Sequence, residues 1–293
     1  MKFATVSTLR ASSQPALLLG DWVYTVPYPD MYAVMEAGAE KAASRASKEP
    51  LSFEEVKFLP PLKPNTLRDG YGFERHVRAA NKIRGREVPA VWYEFPVFYY
   101  TNPISVFGHE DEIPHPVYTD ALDFELEVAA VIGTRARDLR SERVSDHIFG
   151  FTIFNDWSAR DVQRQEMKVG LGPAKGKDFA SSLGPVIVTP DEMKDRADER
   201  PGVYDLEMIA TLNGAPISKG NLNEIHWSFS DLIARASESV ELLPGDVFGS
   251  GTVGSGCLLE LTQAKGPWLK PGDVVELEVE RIGILRNTIG PRR

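Results

Sequence analysis

Apolar and polar positions alternate with a period of two at the start of Leu122 to Ile132. Asp123, Glu125 and Glu127 therefore project from one face of a strand, and Phe124, Leu126 and Val128 from the other. Runs rich in apolar, β-branched and aromatic residues predict further strands over Phe149 to Phe154, Pro185 to Val188, Leu206 to Leu212, Cys257 to Thr262 and Val274 to Ile282, with a hairpin turn at Asn213-Gly214. Earlier in the chain, Leu17 to Leu19, a Gly20-Asp21 turn and Trp22 to Val26 predict a hairpin, followed by an Ala-rich helix from Met31 to Ser47. Pro60, Pro61 and Pro64 then mark a break. An amphipathic helix is expected over Glu224 to Ser237, where Ile225, Phe229, Leu232 and Ile233 share a stripe. There is no internal repeat, and strands do not alternate regularly with helices as a doubly wound parallel sheet requires. The expected fold is α+β and mainly β: a mixed β-sandwich roll over residues 66–293, with a small N-terminal α/β accessory domain over residues 1–65.

Composition narrows the function. The 293 residues are 42% hydrophobic and 26% charged, enough for a substantial core and unlike a disordered or fibrous chain. With 33 Lys and Arg against 42 Asp and Glu, the formal charge of −9 offers no net positive field for a phosphate backbone, so nucleic acid is not an expected partner. No apolar run approaches the roughly 20 residues of a spanning helix, so no membrane partner is expected either. Arg10 and polar residues interrupt the N-terminal stretch where a secretory signal needs an apolar core. A single cysteine, Cys257, has no second thiol for a disulfide or a paired-cysteine zinc site. A cytoplasmic location is expected.

Two apparent nucleotide motifs fail. In Gly170 to Lys177 the first glycine of a phosphate loop would fall on Leu171 and its final Ser/Thr on Asp178. The glycine-rich Ser250 to Gly256 leads into a strand-like segment rather than a helix, and reads as a tight turn. Glu125 and Glu127 are more informative. Two residues apart on a strand, they point the same way about 7 Å apart and can converge on one cation. Taken alone, they also describe the solvated face of an amphipathic strand. Downstream, a helical turn opening at Asp156 would place Arg160 and Gln163 on one face, although an acidic residue there also describes a cap.

Several segments, in order, carry a resemblance: Asp123-Phe-Glu-Leu-Glu127, His147-Ile-Phe-Gly150, Asn155-Asp-Trp-Ser-Ala-Arg-Asp-Val-Gln163, Leu171-Gly-Pro173 with Gly176-Lys177, Pro244-Gly-Asp246, Ser250-Gly-Thr252 and Leu259-Glu-Leu261. On these the chain resembles the fumarylacetoacetate hydrolase family across most of residues 66–290. The resemblance implies that Asp69, Glu125, Glu127 and Asp156 bind a divalent cation. Four oxygen donors suit Mg²⁺, or Mn²⁺ or Ca²⁺, rather than zinc. It implies that His76, seven residues after Asp69, is a general base oriented by Glu260, and that Arg160, Gln163 and Lys177 surround a developing oxyanion. Tyr71, Tyr99 and Thr252 correspond to substrate contacts. Met167 stands where a strict fumarylacetoacetase would carry a tyrosine, which puts the substrate in question. The implied activity is metal-dependent hydrolysis of a carbon–carbon bond in a β-diketo acid of the fumarylacetoacetate or acylpyruvate type, by a homodimer. Decarboxylation, isomerisation or hydration of a 2-oxo acid is the alternative within the family. A non-catalytic, Ca²⁺-stabilised β domain is the alternative outside it. The charged run Glu74 to Arg86 reads as a lid or a solvated helix.

Overall fold

The computed structural model describes residues 1–293 as a mixed α+β, strand-rich fold with two main sheets. The eleven-stranded sheet runs Trp22–Thr25, Gln14–Leu19, Lys2–Ser7, Ser181–Val188, Ile148–Asn155, Leu126–Ile132, Val247–Gly249, Leu67–Gly70, Phe98–Thr101, with Lys57–Leu59 and Val106–Phe107 joined to it off this path. The five-stranded sheet runs Ala215–Asn221, Glu207–Leu212, Val274–Val279, Gly283–Arg292, Glu112–His115. Val128, Ala130, Phe151 and Ile153 of the first sheet share one core with Met208, Ala210, Leu277 and Leu285 of the second. The large sheet's other face, at Ala129, Val131 and Phe154, is covered by Met31, Val34 and Met35. Leu126–Ile132 is buried at every residue because both of its faces are covered, as an apolar run of this kind requires.

The N-terminal hairpin forms as expected, with Leu19 opposite Trp22. Asn213 and Gly214 both take positive φ, the geometry of a two-residue hairpin turn. Four local expectations change. The Ala-rich helix is two short helices, Met31–Ala37 and Ala39–Ala43, divided at Gly38, whose φ of 87° lies outside the helical region. The amphipathic helix starts later, at Phe229, because Ser228 and Asp231 form a capping box. The Leu122 to Ile132 strand is interrupted at Phe124 and Glu125, and none of it is a solvated face. Cys257 to Thr262 is not a strand: Leu258–Leu261 is a short helix, its first amides donating to the Asp123 carboxylate at 2.8 and 3.0 Å. That pairing satisfies orphan N–H groups at a helix start and overrides the apolar, strand-like pattern.

Candidate active site

Strand pairing builds one wall. Val247–Gly249 runs parallel to Leu67–Gly70, setting Gly249 opposite Asp69. A Cβ on Gly249 would lie 2.4 Å from Asp69 Oδ1, so only glycine leaves room for the carboxylate. The chain then turns at Gly251, with φ of 79°, and its N–H donates to Asp69 Oδ1 at 3.1 Å and Glu127 Oε2 at 3.0 Å. Glu127 also accepts from Thr252 Oγ1 at 3.3 Å. Asp156 follows the end of Ile148–Asn155. The structure places a two-residue strand, Ser158–Ala159, between Asp156 and the helix Arg160–Glu166, so Asp156 does not head that helix.

Asp69, Glu125 and Asp156 bring carboxylate oxygens within 4.8 Å of one another. Glu127 stands outside this trio and shares the Gly251 amide with Asp69. All four are buried. Burial, and then the facing Asp156, pushes the Asp69 carboxyl up to about 8; burial and Asp69 lift Glu127 well above the carboxylate range. Burial also raises Asp156. Glu125 behaves oppositely: burial resists its charge, but Lys177 and Arg160 hold the carboxyl below its ordinary value. Lys177 Nζ donates to Glu125 Oε2 at 2.5 Å and Asp156 Oδ2 at 2.6 Å, while the Tyr99 hydroxyl donates to Asp156 Oδ2.

These residues fit a hard divalent cation. Asp156 Oδ1 is buried with no hydrogen-bond partner, a costly state for a carboxylate oxygen unless a cation lies against it. The donors are all oxygen, and four buried carboxyls outnumber the two cations Lys177 and Arg160, so Asp69 and Glu127 retain protons that a bound cation would displace.

Helices build the opposite wall. The charged run after Phe73 is the helix Glu74–Ile83, which buries His76, Val77, Ala80 and Asn81 along one face. His76 Nδ1 lies 2.6 Å from Glu260 Oε1, and Glu260 Oε2 accepts from the Ser255 amide at 3.1 Å. With Nδ1 engaged by the carboxylate, Nε2 is the ring nitrogen left for chemistry. The Tyr71 ring stands edge-on to His76 at 5.5 Å between centroids. Arg160 engages all three guanidinium nitrogens: Nε with Asp123 and Nη2 with Glu125, both at 2.8 Å, and Nη1 with Gln163 Oε1 at 3.2 Å.

The two walls enclose a cavity of about 310 Å³. Asp69, Tyr71, His76, Tyr99, Glu125, Arg160, Gln163, Lys177 and Thr252 line it, and Glu127, Asp156 and Glu260 support it from behind. Val97, Phe98 and Leu259 make part of the lining apolar. It adjoins an outer basin of about 670 Å³ that shares Arg84, Arg160, Gln163, Met167 and Leu259 and adds Arg86, Arg164 and Lys168. Met167 sits where the two meet, its sulfur 3.8 Å from Arg84 Nη2. Sequence reasoning passed over these basic residues, and over Asp123, which joins Arg160 to the helix carrying Glu260. Arg84-Gly-Arg86 at a helix end and Arg164 and Lys168 flanking Met167 were the available signals.

The sequence profile of the fumarylacetoacetate (FAA) hydrolase C-terminal family matches residues 65–290. The oxaloacetate tautomerase YisK of Bacillus subtilis is 32% identical over 243 residues, covering 82% of this chain and 75% of that protein. Human mitochondrial oxaloacetate tautomerase FAHD2A is 30% identical over 239 residues, covering 80% and 70%. Among solved structures, a 5-carboxymethyl-2-hydroxymuconate delta-isomerase from Mycobacterium smegmatis superposes with a TM-score of 0.75 at 25% identity over 100% of both chains. A fumarylacetoacetate hydrolase from Exiguobacterium antarcticum does so at 0.79 and 26%, also over 100% of both. No helix is long and apolar enough to cross a membrane.

Proposed function

The chain belongs to the fumarylacetoacetate hydrolase family, and from that premise we propose that it moves a proton rather than splitting a carbon–carbon bond: it is a divalent-cation-dependent tautomerase or isomerase of a 2-oxo acid. One observation carries this reading. The His76–Glu260 pair faces the cavity beside the carboxylate trio and supplies the base that proton transfer needs. Arg160 uses three of its five N–H donors, Lys177 two of its three, and Gln163 is engaged only through Oε1, so each retains a donor. Isomerisation needs a base that returns its proton; hydrolysis also needs a placed water and free donors to the oxyanion. The named activities of the relatives point the same way.

Asp69, Glu125 and Asp156, with Glu127 sharing the Gly251 amide with Asp69, would hold the cation. When bound, it supplies Lewis acidity that lowers the cost of negative charge on a nearby keto oxygen. His76 Nε2 takes a proton from the carbon beside that carbonyl, and Glu260 stabilises the resulting imidazolium through Nδ1. The same nitrogen returns the proton to oxygen or to a more distant carbon of the conjugated system. Val97, Phe98 and Leu259 offer the reacting carbons an apolar patch, while Arg84, Arg86, Arg164 and Lys168 offer a second carboxylate a positive basin. A dicarboxylic 2-oxo acid is therefore the preferred substrate class. Cleavage of an acylpyruvate is the second reading, kept by the N–H donors that Arg160, Gln163 and Lys177 retain. A non-catalytic Ca²⁺-binding domain would have no use for the buried His76–Glu260 pair.

The test is a panel assayed with Mg²⁺ and with EDTA: enol and keto oxaloacetate, a 2-hydroxydienoate and an acylpyruvate. Mg²⁺-dependent interconversion of the first two, without cleavage of the last, is expected. Cleavage faster than interconversion would favour hydrolysis.

A further inference from the structure

We infer that His76, Cys257 and Glu260 form a second, chemically distinct metal site, one that takes a soft or borderline cation such as Zn²⁺ or Cd²⁺ and switches off the base. Their ligand atoms lie within 4.8 Å of one another. Glu260 Oε1 sits between the other two, 2.6 Å from His76 Nδ1 and 3.8 Å from Cys257 Sγ. A tetrahedral zinc site with bonds of about 2.0–2.3 Å separates neighbouring ligand atoms by roughly 3.5 Å, so shifts of about 1 Å would seat the ion. Three protein ligands leave the fourth position open to water.

A sequence with one cysteine argues against a thiolate site, and the fold supplies the missing donors. Cys257 is the residue ahead of the helix carrying Glu260, and the Glu74–Ile83 helix delivers His76 to both. Sulfur and imidazole nitrogen distinguish this cluster from the all-oxygen trio, so the two sites sort cations by softness. Burial, followed by the nearby Asp123, keeps the thiol protonated in the resting protein, so metal capture releases that proton. Capture of Nδ1 leaves the neutral ring's proton on Nε2, the atom that would act as base. Binding stands apart from the proposed reaction; only the inhibition rests on His76 being its base.

The experiment uses the protein saturated with Mg²⁺, so that the oxygen site is filled, and titrates it with Cd²⁺ while following thiolate-to-metal charge transfer in the ultraviolet. One equivalent is expected to produce the band in the wild type and none in Cys257→Ser. In parallel, Zn²⁺ should inhibit turnover, and Cys257→Ser should keep its Mg²⁺-supported rate while raising the half-inhibiting Zn²⁺ concentration at least about 10-fold. Cys257→Ala serves should the serine variant fail to fold. Absence of the band overturns the site. A band with equal Zn²⁺ sensitivity in the cysteine variants overturns the inhibition alone.

Discussion

The two walls of the cavity are made differently. On one side, Asp69 and Glu127 are held by sheet register and a glycine turn, buried and sharing the Gly251 amide. On the other, His76, Arg160 and Glu260 come from three short helices, and outward from them lie Arg84, Arg164 and Lys168, all exposed. A site that concentrates buried negative charge needs a stiff frame, because any relaxation lets the carboxylates separate or take up protons. A site that selects among acids can sit on exposed side chains. Under the proposed function, the contrast places cation holding on the strands, proton transfer on the helices, and substrate choice on the rim.

The largest expected effect tests the strand wall. Asp156→Ala removes the orphaned oxygen and one partner of Lys177, and should weaken Mg²⁺ binding by about 100-fold or more in a calorimetric titration. EDTA should abolish turnover of the wild type. Unchanged affinity in the variant would remove Asp156 from the cation site. Next is the helix wall: His76→Ala should cost about 10²- to 10⁴-fold in kcat with Mg²⁺ affinity retained. A parallel loss of metal binding would mean that the two walls do not divide the work. On the rim, Arg84→Ala and Arg164→Ala should raise KM for a dicarboxylic acid by about 10-fold, roughly 1.4 kcal/mol, with kcat unchanged. Equal effects on a monocarboxylic acid would rule out recognition of the second carboxylate.

The last effect concerns stability rather than turnover. Without metal, the Asp69 carboxyl titrates at about 8 against an ordinary 3.8. Between those values the native state keeps a proton that the unfolded chain gives up, so stability falls as pH rises from about 4 to about 8. Thermal melting in EDTA should decline across that window, and saturating Mg²⁺ should flatten it. A metal-free melting temperature that rises with pH would contradict the buried clustering.

The strand wall was the more legible in sequence. Glu125 and Glu127 stand out by their spacing, and Leu126–Ile132 reads as a strand because local pattern and tertiary burial agree there. The helix wall was only partly legible from pattern: spacing gave the helix of Arg160 and Gln163, but not the other two. Leu258–Leu261 carries strand-forming chemistry and becomes helical through the distant Asp123 carboxylate, a contact 135 residues away in the chain that periodicity cannot reveal. His76 lies in a charged helix and gains meaning only when Glu260 arrives from 184 residues away. Resemblance to a family named these residues; the geometry shows what holds them. The basic rim escaped both routes, since exposed arginines at helix ends carry no periodic signal.

Proton transfer by His76 beside a bound divalent cation is tested most directly by solvent deuterium exchange at the carbon next to the keto group. Followed by NMR with saturating Mg²⁺ in D₂O, the wild type should exchange that position of a dicarboxylic 2-oxo acid well above the spontaneous rate. His76→Ala, or EDTA, should return it to background. Exchange that persists in His76→Ala, or an enzyme that cleaves acylpyruvate without exchanging any carbon-bound hydrogen in a 2-oxo acid, would contradict that chemistry.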